Sequence, residues 1–292
     1  MWKDISQEIA LKTGRKFELI KPPRLLSGGC INQGYCISGQ DATYFVKLNQ
    51  ASLLPMFEAE ALGLQEIQAT RTIKVPTVIG HGITDNYSYL ILEWLDFTRG
   101  TSEHWHLMGQ NLARLHQVPI GQSFGWQSNN TIGSTPQINH LTTCWADFFA
   151  EQRIGYQLKL AKRQGSSFGD LERIIERCRT LLSERQPSPS LLHGDLWSGN
   201  VSITTTGEPT ILDPATYYGD READIAMTEL FGGFPTAFYQ GYNEVAPVDR
   251  QYQKRKSLYN LYHVLNHFNL FGGGYQAQAQ QMIKQLLTNT AT

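Results

Sequence analysis

The residues best suited to chemistry stand together in one stretch, Leu191-Leu192-His193-Gly194-Asp195-Leu196-Trp197-Ser198-Gly199-Asn200-Val201, with Ile211-Leu212-Asp213-Pro214 a short way on. Between Asn200 and Asp213 the chain reads as a hairpin. Val201-Ser202-Ile203 alternates, Thr204 to Pro209 carries turn residues, and Thr210-Ile211-Leu212 returns. A hairpin brings its ends together, so the Asn200 and Asp213 side chains can reach one metal ion, with Asp195 in the loop just before them. One carboxylate to handle an acceptor hydroxyl, followed by Asn and Asp oxygens for magnesium, is the donor set of phosphoryl transfer. Asp195 is therefore the expected catalytic residue, orienting the hydroxyl or accepting its proton. Asn200 and Asp213 are the expected metal ligands. His193 is expected to be structural, its imidazole bonded to a carboxylate, with Asp224 the candidate. The competing reading of the whole stretch is an Asx-rich loop with no chemistry.

Such a centre needs a facing wall for the triphosphate, and the N-terminal third offers one. After an expected N-terminal helix ending at Gly14, Pro22-Pro23 opens a strand, Arg24 to Leu26. Ser27-Gly28-Gly29-Cys30-Ile31-Asn32-Gln33-Gly34 follows, a glycine-rich turn whose backbone N–H groups can point at phosphate oxygens; alone it is equally an ordinary hairpin loop. Gly28, Gly29, Cys30 and Asn32 are the nucleotide-binding candidates here. Cys30 is also a candidate redox switch, because the loop N–H groups and Lys47 would favour its thiolate, although a small loop residue without redox role fits as well. In Tyr44-Phe45-Val46-Lys47-Leu48, alternation puts Lys47 on the face opposite Tyr44, Val46 and Leu48, where it needs a counter-charge. The helix expected over Leu53 to Ala69 supplies Glu58 and Glu60. Glu60 is preferred, since Leu64 one turn on places it on the buried side. Strands over Thr77 to Ile83 and Tyr89 to Leu95 complete a five-stranded antiparallel sheet with one inserted helix. Glu93 to Thr98 then leaves the sheet, and Glu93 and Leu95 are the candidates for backbone contacts to an adenine ring.

Beyond this connector the chain reads as mainly helical, with Phe124 to Pro136 a Gly/Ser/Asn-rich loop and single helices over Cys144 to Gln164 and Asp170 to Glu184. The organisation expected is an α+β, bilobal chain: residues 1–95 a sheet lobe, residues 96–292 a helical lobe, and a hinge at about 93–98. With 292 residues, 41% hydrophobic and 17% charged, the composition is that of a soluble globular protein with an ample core. A formal net charge of −1 gives no bulk field for nucleic acid or anionic membrane. No apolar run approaches the ~18 residues of a membrane span, and the start has no signal-like apolar segment. A cytoplasmic protein is expected. The four cysteines show no paired metal spacing. Only Ala215 to Gly219 separates Asp213 from Asp220, and Leu-Asp-Pro stands where Asp-Phe-Gly would mark a protein kinase. There is no room for a regulatory activation segment, which points to a small acceptor.

The chain resembles the fructosamine-3-kinase (ketosamine-3-kinase) family, a branch of the protein-kinase-like phosphotransferases. The resemblance rests on Gly28-Gly29-Cys30-Ile31-Asn32-Gln33, Phe45-Val46-Lys47, Phe57-Glu58-Ala59-Glu60, His193 to Asn200, Leu212 to Asp224, and Leu261-Tyr262-His263-Val264-Leu265-Asn266-His267-Phe268-Asn269. Leu270 departs from it, standing where a histidine is expected. The resemblance implies a protein-kinase-like fold, ATP and Mg2+ as cofactors, and phosphorylation of fructosamine or ribulosamine adducts at the sugar O3, leading to deglycation. The partner implied is a free or protein-bound ketosamine, handled by a monomer or homodimer, with no nucleic acid or membrane involved. Trp197 would form an apolar wall against the sugar or its amine carrier; a core tryptophan is the alternative. Two other functions compete: a kinase for choline, homoserine or an aminoglycoside, and a non-catalytic nucleotide-binding pseudokinase.

Overall fold

The computed structural model describes residues 1–26 and 31–288. Helix α1 (Trp2–Thr13) buries Ile5 and Ile9 and ends at Gly14. Strands β1 (Arg24–Leu26), β2 (Gln33–Ser38) and β3 (Thr43–Gln50) lead through a 3-10 turn into helix α2 (Leu54–Thr70), after which β4 (Val78–Thr84) and β5 (Tyr87–Glu93) complete the sheet. Its order is β1-β2-β3-β5-β4, antiparallel throughout, as expected. The strand period decides what each face holds. Val46 and Leu48 of β3 join Ile5, Ile9, Phe17, Ile37, Tyr89 and Ile91 in a small core beneath α1. Lys47, between them, faces α2 on the other side.

The remainder carries β6 (Phe97–Thr98), α3 (Ser102–His116), β7 (Asn130–Ile132), β8 (Thr135–Gln137) and α4 (Trp145–Asp147). Helix α4 continues through a π-helical stretch, Phe148–Gly155, into α5 (Tyr156–Arg163). Then come α6 (Leu171–Leu182), β9 (Ser190–Leu192), β10 (Val201–Thr204), β11 (Pro209–Ile211), β12 (Tyr217–Gly219), α7 (Glu222–Leu230), α8 (Thr236–Val245), α9 (Tyr252–Phe271) and α10 (Tyr275–Thr288). The large core runs without a break from Phe57 and Leu64 of α2 and Leu90 and Leu92 of β5 into these helices.

The mainly helical character holds, but three pairings lie outside the sequence expectation. β7 and β8 form a hairpin inside the stretch read as loop. β9 pairs with β12, Leu192 opposite Tyr217, and β6 pairs with β10, Ile203 opposite Thr98. The last two position the site. β9 delivers His193, and β6 ties the connector after Glu93 to the hairpin that carries Asn200.

Candidate active site

The expected β10–β11 hairpin forms, with Val201 opposite Ile211, and the Leu212 N–H donates to the Asn200 carbonyl at 2.9 Å. Asn200 and Asp213 therefore flank the base of the hairpin. Asn200 donates its amide to the Asp195 carbonyl (2.9 Å) and carboxylate (3.2 Å), which leaves its Oδ1 as the remaining side-chain ligand atom. Asp213 has φ 53°, a left-handed conformation costly for a side-chain-bearing residue and typical of functional strain. Gly194, with φ 83°, makes the adjoining turn; a Cβ there would lie 2.1 Å from the Ala215 carbonyl oxygen. That close approach lets Ala215 N–H donate to the His193 carbonyl at 2.8 Å, so the His193–Asp195 loop and the segment after Asp213 are stitched together.

His193 is structural, but not through the carboxylate expected. Its Nε2 faces the Leu212 carbonyl at 2.7 Å, and its Nδ1 accepts from Asp195 N–H at 3.2 Å. Burial lowers its pKa, so it is held as the neutral Nε2–H tautomer. Asp224 instead accepts from the backbone N–H groups of His193 (2.7 Å) and Gly194 (2.8 Å) and from His116 Nε2 (3.2 Å). Two N–H groups of a tight buried turn need acceptors, and one carboxylate satisfies both. Burial pushes the Asp224 pKa up, but these bonds outweigh it and hold the carboxyl below the usual range.

Lys47 crosses from the sheet to meet this loop. Its Nζ lies 2.6 Å from Glu60 Oε1 and 2.8 Å from Asp213 Oδ1. Glu60, not Glu58, is the partner. Burial disfavours the ammonium, but the Asp213 and Glu60 carboxylates outweigh it and keep Lys47 charged. Desolvation, then the nearby Asp213 charge, pushes Asp195 up to about 7 against the Asn200 hydrogen bond.

The known proteins similar to this chain decide its family. The fructosamine kinase family model matches residues 1–289. The chain belongs to the fructosamine kinase family. It is 61% identical to a Synechocystis protein named as a probable ketoamine kinase, over 98% of this chain and 97% of that one. It is 42% identical to the chloroplastic protein-ribulosamine 3-kinase of Arabidopsis thaliana, over 98% and 89%. A crystal structure from Haemophilus somnus, described as a fructosamine-3-kinase candidate, superposes with TM-score 0.94 at 37% identity, covering 98% of each chain. An aminoglycoside phosphotransferase structure at 16% identity (TM-score 0.64, covering 97% of this chain and 98% of that one) shares the fold. The chain is thus a protein-kinase-like phosphotransferase, and its sheet and helical parts are those of that fold.

In this fructosamine kinase family member the other expected site residues fall as follows. Gly28, Gly29 and Cys30 lie outside the described residues. Asn32 Oδ1 accepts from Asn49 Nδ2 at 2.7 Å, and the same amide reaches the Ile31 carbonyl at 3.2 Å, so the end of the glycine-rich turn is pinned to β3. Glu93 commits its N–H and its carboxylate to Thr77 (2.8 and 3.0 Å), a structural use of both groups. Leu95 is half-buried in the connector. Trp197 is 38% exposed, so it is no core residue. It stands edge-on to Phe231, which in turn meets His267. His267 is packed by Phe271 and Tyr275, giving an open aromatic wall beside the Asp195 loop.

Several supporting residues were not read from the sequence. Asn130 Nδ2 donates to the Thr216 carbonyl (2.8 Å), and Gln137 Nε2 to the Ala215 carbonyl (3.0 Å) and to Asn130 Oδ1 (2.8 Å). The β7–β8 hairpin thereby clamps the segment after Asp213. Arg153, from the π-helical stretch, extends this buried set. It donates to the Ile138 carbonyl and to Asn139 Oδ1, and its guanidinium lies 4.0 Å from the Tyr217 ring centre. Among the described residues it makes no ion pair, so carbonyls and ring faces stabilise its charge. The one usable signal was Gly133-Ser134 between Thr131-Ile132 and Thr135, a two-residue hairpin turn.

Proposed function

We propose that the chain transfers the γ-phosphoryl group of ATP to the O3 hydroxyl of a ketosamine, free or protein-bound, whose sugar is then released. The observation that carries the phosphotransfer reading is Lys47, bridging Glu60 and Asp213 at 2.6 and 2.8 Å beside the Asp195–Asn200 loop. The ketosamine acceptor is supported by the names of the relatives and by the aromatic wall at Trp197. In this reading Lys47 binds the α/β phosphates, oriented by Glu60; Gly28, Gly29, Cys30 and Asn32 serve nucleotide binding, and the connector offers the adenine the backbone groups at Glu93 and Leu95 that Thr77 does not take. Asp195 orients the O3 hydroxyl and receives its proton as that oxygen attacks phosphorus and ADP leaves. Trp197 positions the sugar and keeps water from the transferring group. The lobes are residues 1–95 and 96–292, hinged at about 93–98, and the location is cytoplasmic. Among the described residues no helix is long and apolar enough to cross a membrane.

The donor set also fits magnesium. Asn200 Oδ1 and the Asp213 carboxylate are hard oxygen donors, and the Asp213 side chain is 53% exposed. Among the described residues no group of three or more His, Cys, Asp and Glu could cage a metal, which agrees with an ion that takes one or two protein ligands and completes its shell with phosphate oxygens. Bound there, magnesium would neutralise charge on the phosphate oxygens.

A substrate panel tests the proposal. ADP release should depend on fructosyl-lysine or ribulosyl-lysine and not on choline, homoserine or an aminoglycoside, and Asp195→Asn should lower kcat by about 10²–10⁴-fold. Phosphorus NMR of the product should place the phosphate on O3. Turnover confined to a non-ketosamine acceptor, or full activity of Asp195→Asn, would overturn it.

A further inference from the structure

Helix α2 carries three glutamates, Glu58, Glu60 and Glu66, and the last is used by neither the phosphate chemistry nor the Lys47 pair. Glu66 accepts three hydrogen bonds from the helical part of the chain: Trp126 Nε1 at 3.1 Å and Tyr218 Oη at 3.1 Å on Oε2, and Gln127 Nε2 at 2.8 Å on Oε1. The donors belong to one unit. Gly125 N–H donates to the Tyr218 carbonyl at 2.9 Å, and Tyr218 N–H to the Gly125 carbonyl at 2.8 Å. Trp126 is 2% exposed, so its indole N–H is a buried donor satisfied by this carboxylate. Closer to Glu60 on the same helix, Gly63 lies flat on the segment after Asp213. A Cβ there would stand 2.7 Å from Thr216 Oγ1 and 3.8 Å from Pro214 Cγ. Helix α2 is therefore seated on the metal-carboxylate segment at Gly63 and fastened beside it at Glu66.

We propose that Glu66 is a positioning residue: a clasp that holds α2 where Glu60 reaches Lys47, so that the ion pair forms without any added modification or partner. The inference rests on reading Lys47 as the triphosphate-binding lysine. The Lys47–Glu60 bond is 2.6 Å and buried, so a shift of α2 by an ångström or two breaks it. The short link from Ala215 to Gly219 leaves no regulatory segment to set the helix. Glu66 and its three donors do this instead. Desolvation and Glu66 push the Tyr218 phenol up to about 12, which keeps it a hydrogen-bond donor at working pH.

A double-mutant cycle on the full chain, read as the calorimetric Kd for Mg·ATP, tests the clasp apart from the acceptor's identity. Glu60→Gln should weaken binding by about tenfold, and Glu66→Leu by a similar factor. The double variant should bind within about twofold of Glu60→Gln alone, because both act through one ion pair. Glu66→Gln, which keeps an acceptor oxygen, should recover most of the loss. Effects that multiply, or wild-type binding by Glu66→Leu, would overturn the clasp. If Glu66→Leu does not fold, Tyr218→Phe, which deletes one donor, carries the same comparison. Wild-type binding by Glu60→Gln would instead remove the reading of Lys47 itself.

Discussion

Replacing Gly194 by alanine is the sharpest test of how the site is held. Two costs follow from the geometry. At φ 83° an L-residue loses about 1–2 kcal/mol relative to glycine. The new Cβ would begin 2.1 Å from the Ala215 oxygen, roughly 1 Å inside ordinary C···O contact. Forced repacking of that size costs about 1–3 kcal/mol. Together Gly194→Ala should lose about 2–5 kcal/mol of stability in urea titration. The strain is relieved by pushing the Ala215 carbonyl away, which breaks the 2.8 Å bond from Ala215 N–H to His193 and carries Asp213 away from Asp195. A misplacement of about 1 Å at a reacting centre is worth about a hundredfold in kcat. Both losses should appear at a temperature where the variant is still folded by circular dichroism. A variant within about 1 kcal/mol and threefold of the parent would show that the two segments need not touch, and the account of the loop would fail.

Two further outcomes are expected. Burial holds His263 neutral, with its pKa pulled from 6.5 down to about 3. The unfolded chain takes up a proton that the folded chain cannot, so this contribution is intact above the unfolded pKa and is lost as pH falls. Between about pH 7.5 and about pH 5.5 this one group should cost about 1.4 kcal/mol, a loss that His263→Leu escapes; equal losses for parent and variant in urea would sink the idea. Trp197→Ala, at a partly exposed position, should change stability by less than about 1 kcal/mol yet raise the ketosamine KM about tenfold with the ATP KM unmoved; a rise in the ATP KM instead would contradict its placement on the acceptor side.

The placement of the candidate site residues was legible because their constraints are local. Strand alternation put Lys47 on its own face, helix spacing chose Glu60 over Glu58, and the hairpin between Asn200 and Asp213 follows from its turn residues. What the sequence hid was long-range or short. Strands β9 and β12 span three residues each, too few for alternation to show. Glu66 meets Trp126 and Tyr218 from distant parts of the chain, and no local pattern announces such a bond. His193 and Asp224 were correctly brought together, but the partner atoms were not. The backbone N–H groups of the turn had first claim on the carboxylate, and the imidazole turned to the Leu212 carbonyl.

The π-helical stretch at Phe148–Gly155 bears on how this chain tolerates insertion and deletion. It holds more residues per turn than an α-helix, and that surplus aims Arg153 at the Tyr217 ring while Gln157, a turn later, reaches Asn266. Deleting one residue there would let the run relax to α spacing, the loss coming out of the surplus, so the helix beyond keeps its phase while side chains inside the run are re-aimed. The arginine would then lose the Tyr217 ring, while Gln157 kept Asn266. The stretch is thus the place along this helix where a one-residue gap can be absorbed without turning α5, at the cost of the Arg153 seat; the same gap inside α5 would rotate the residues beyond it by about 100°.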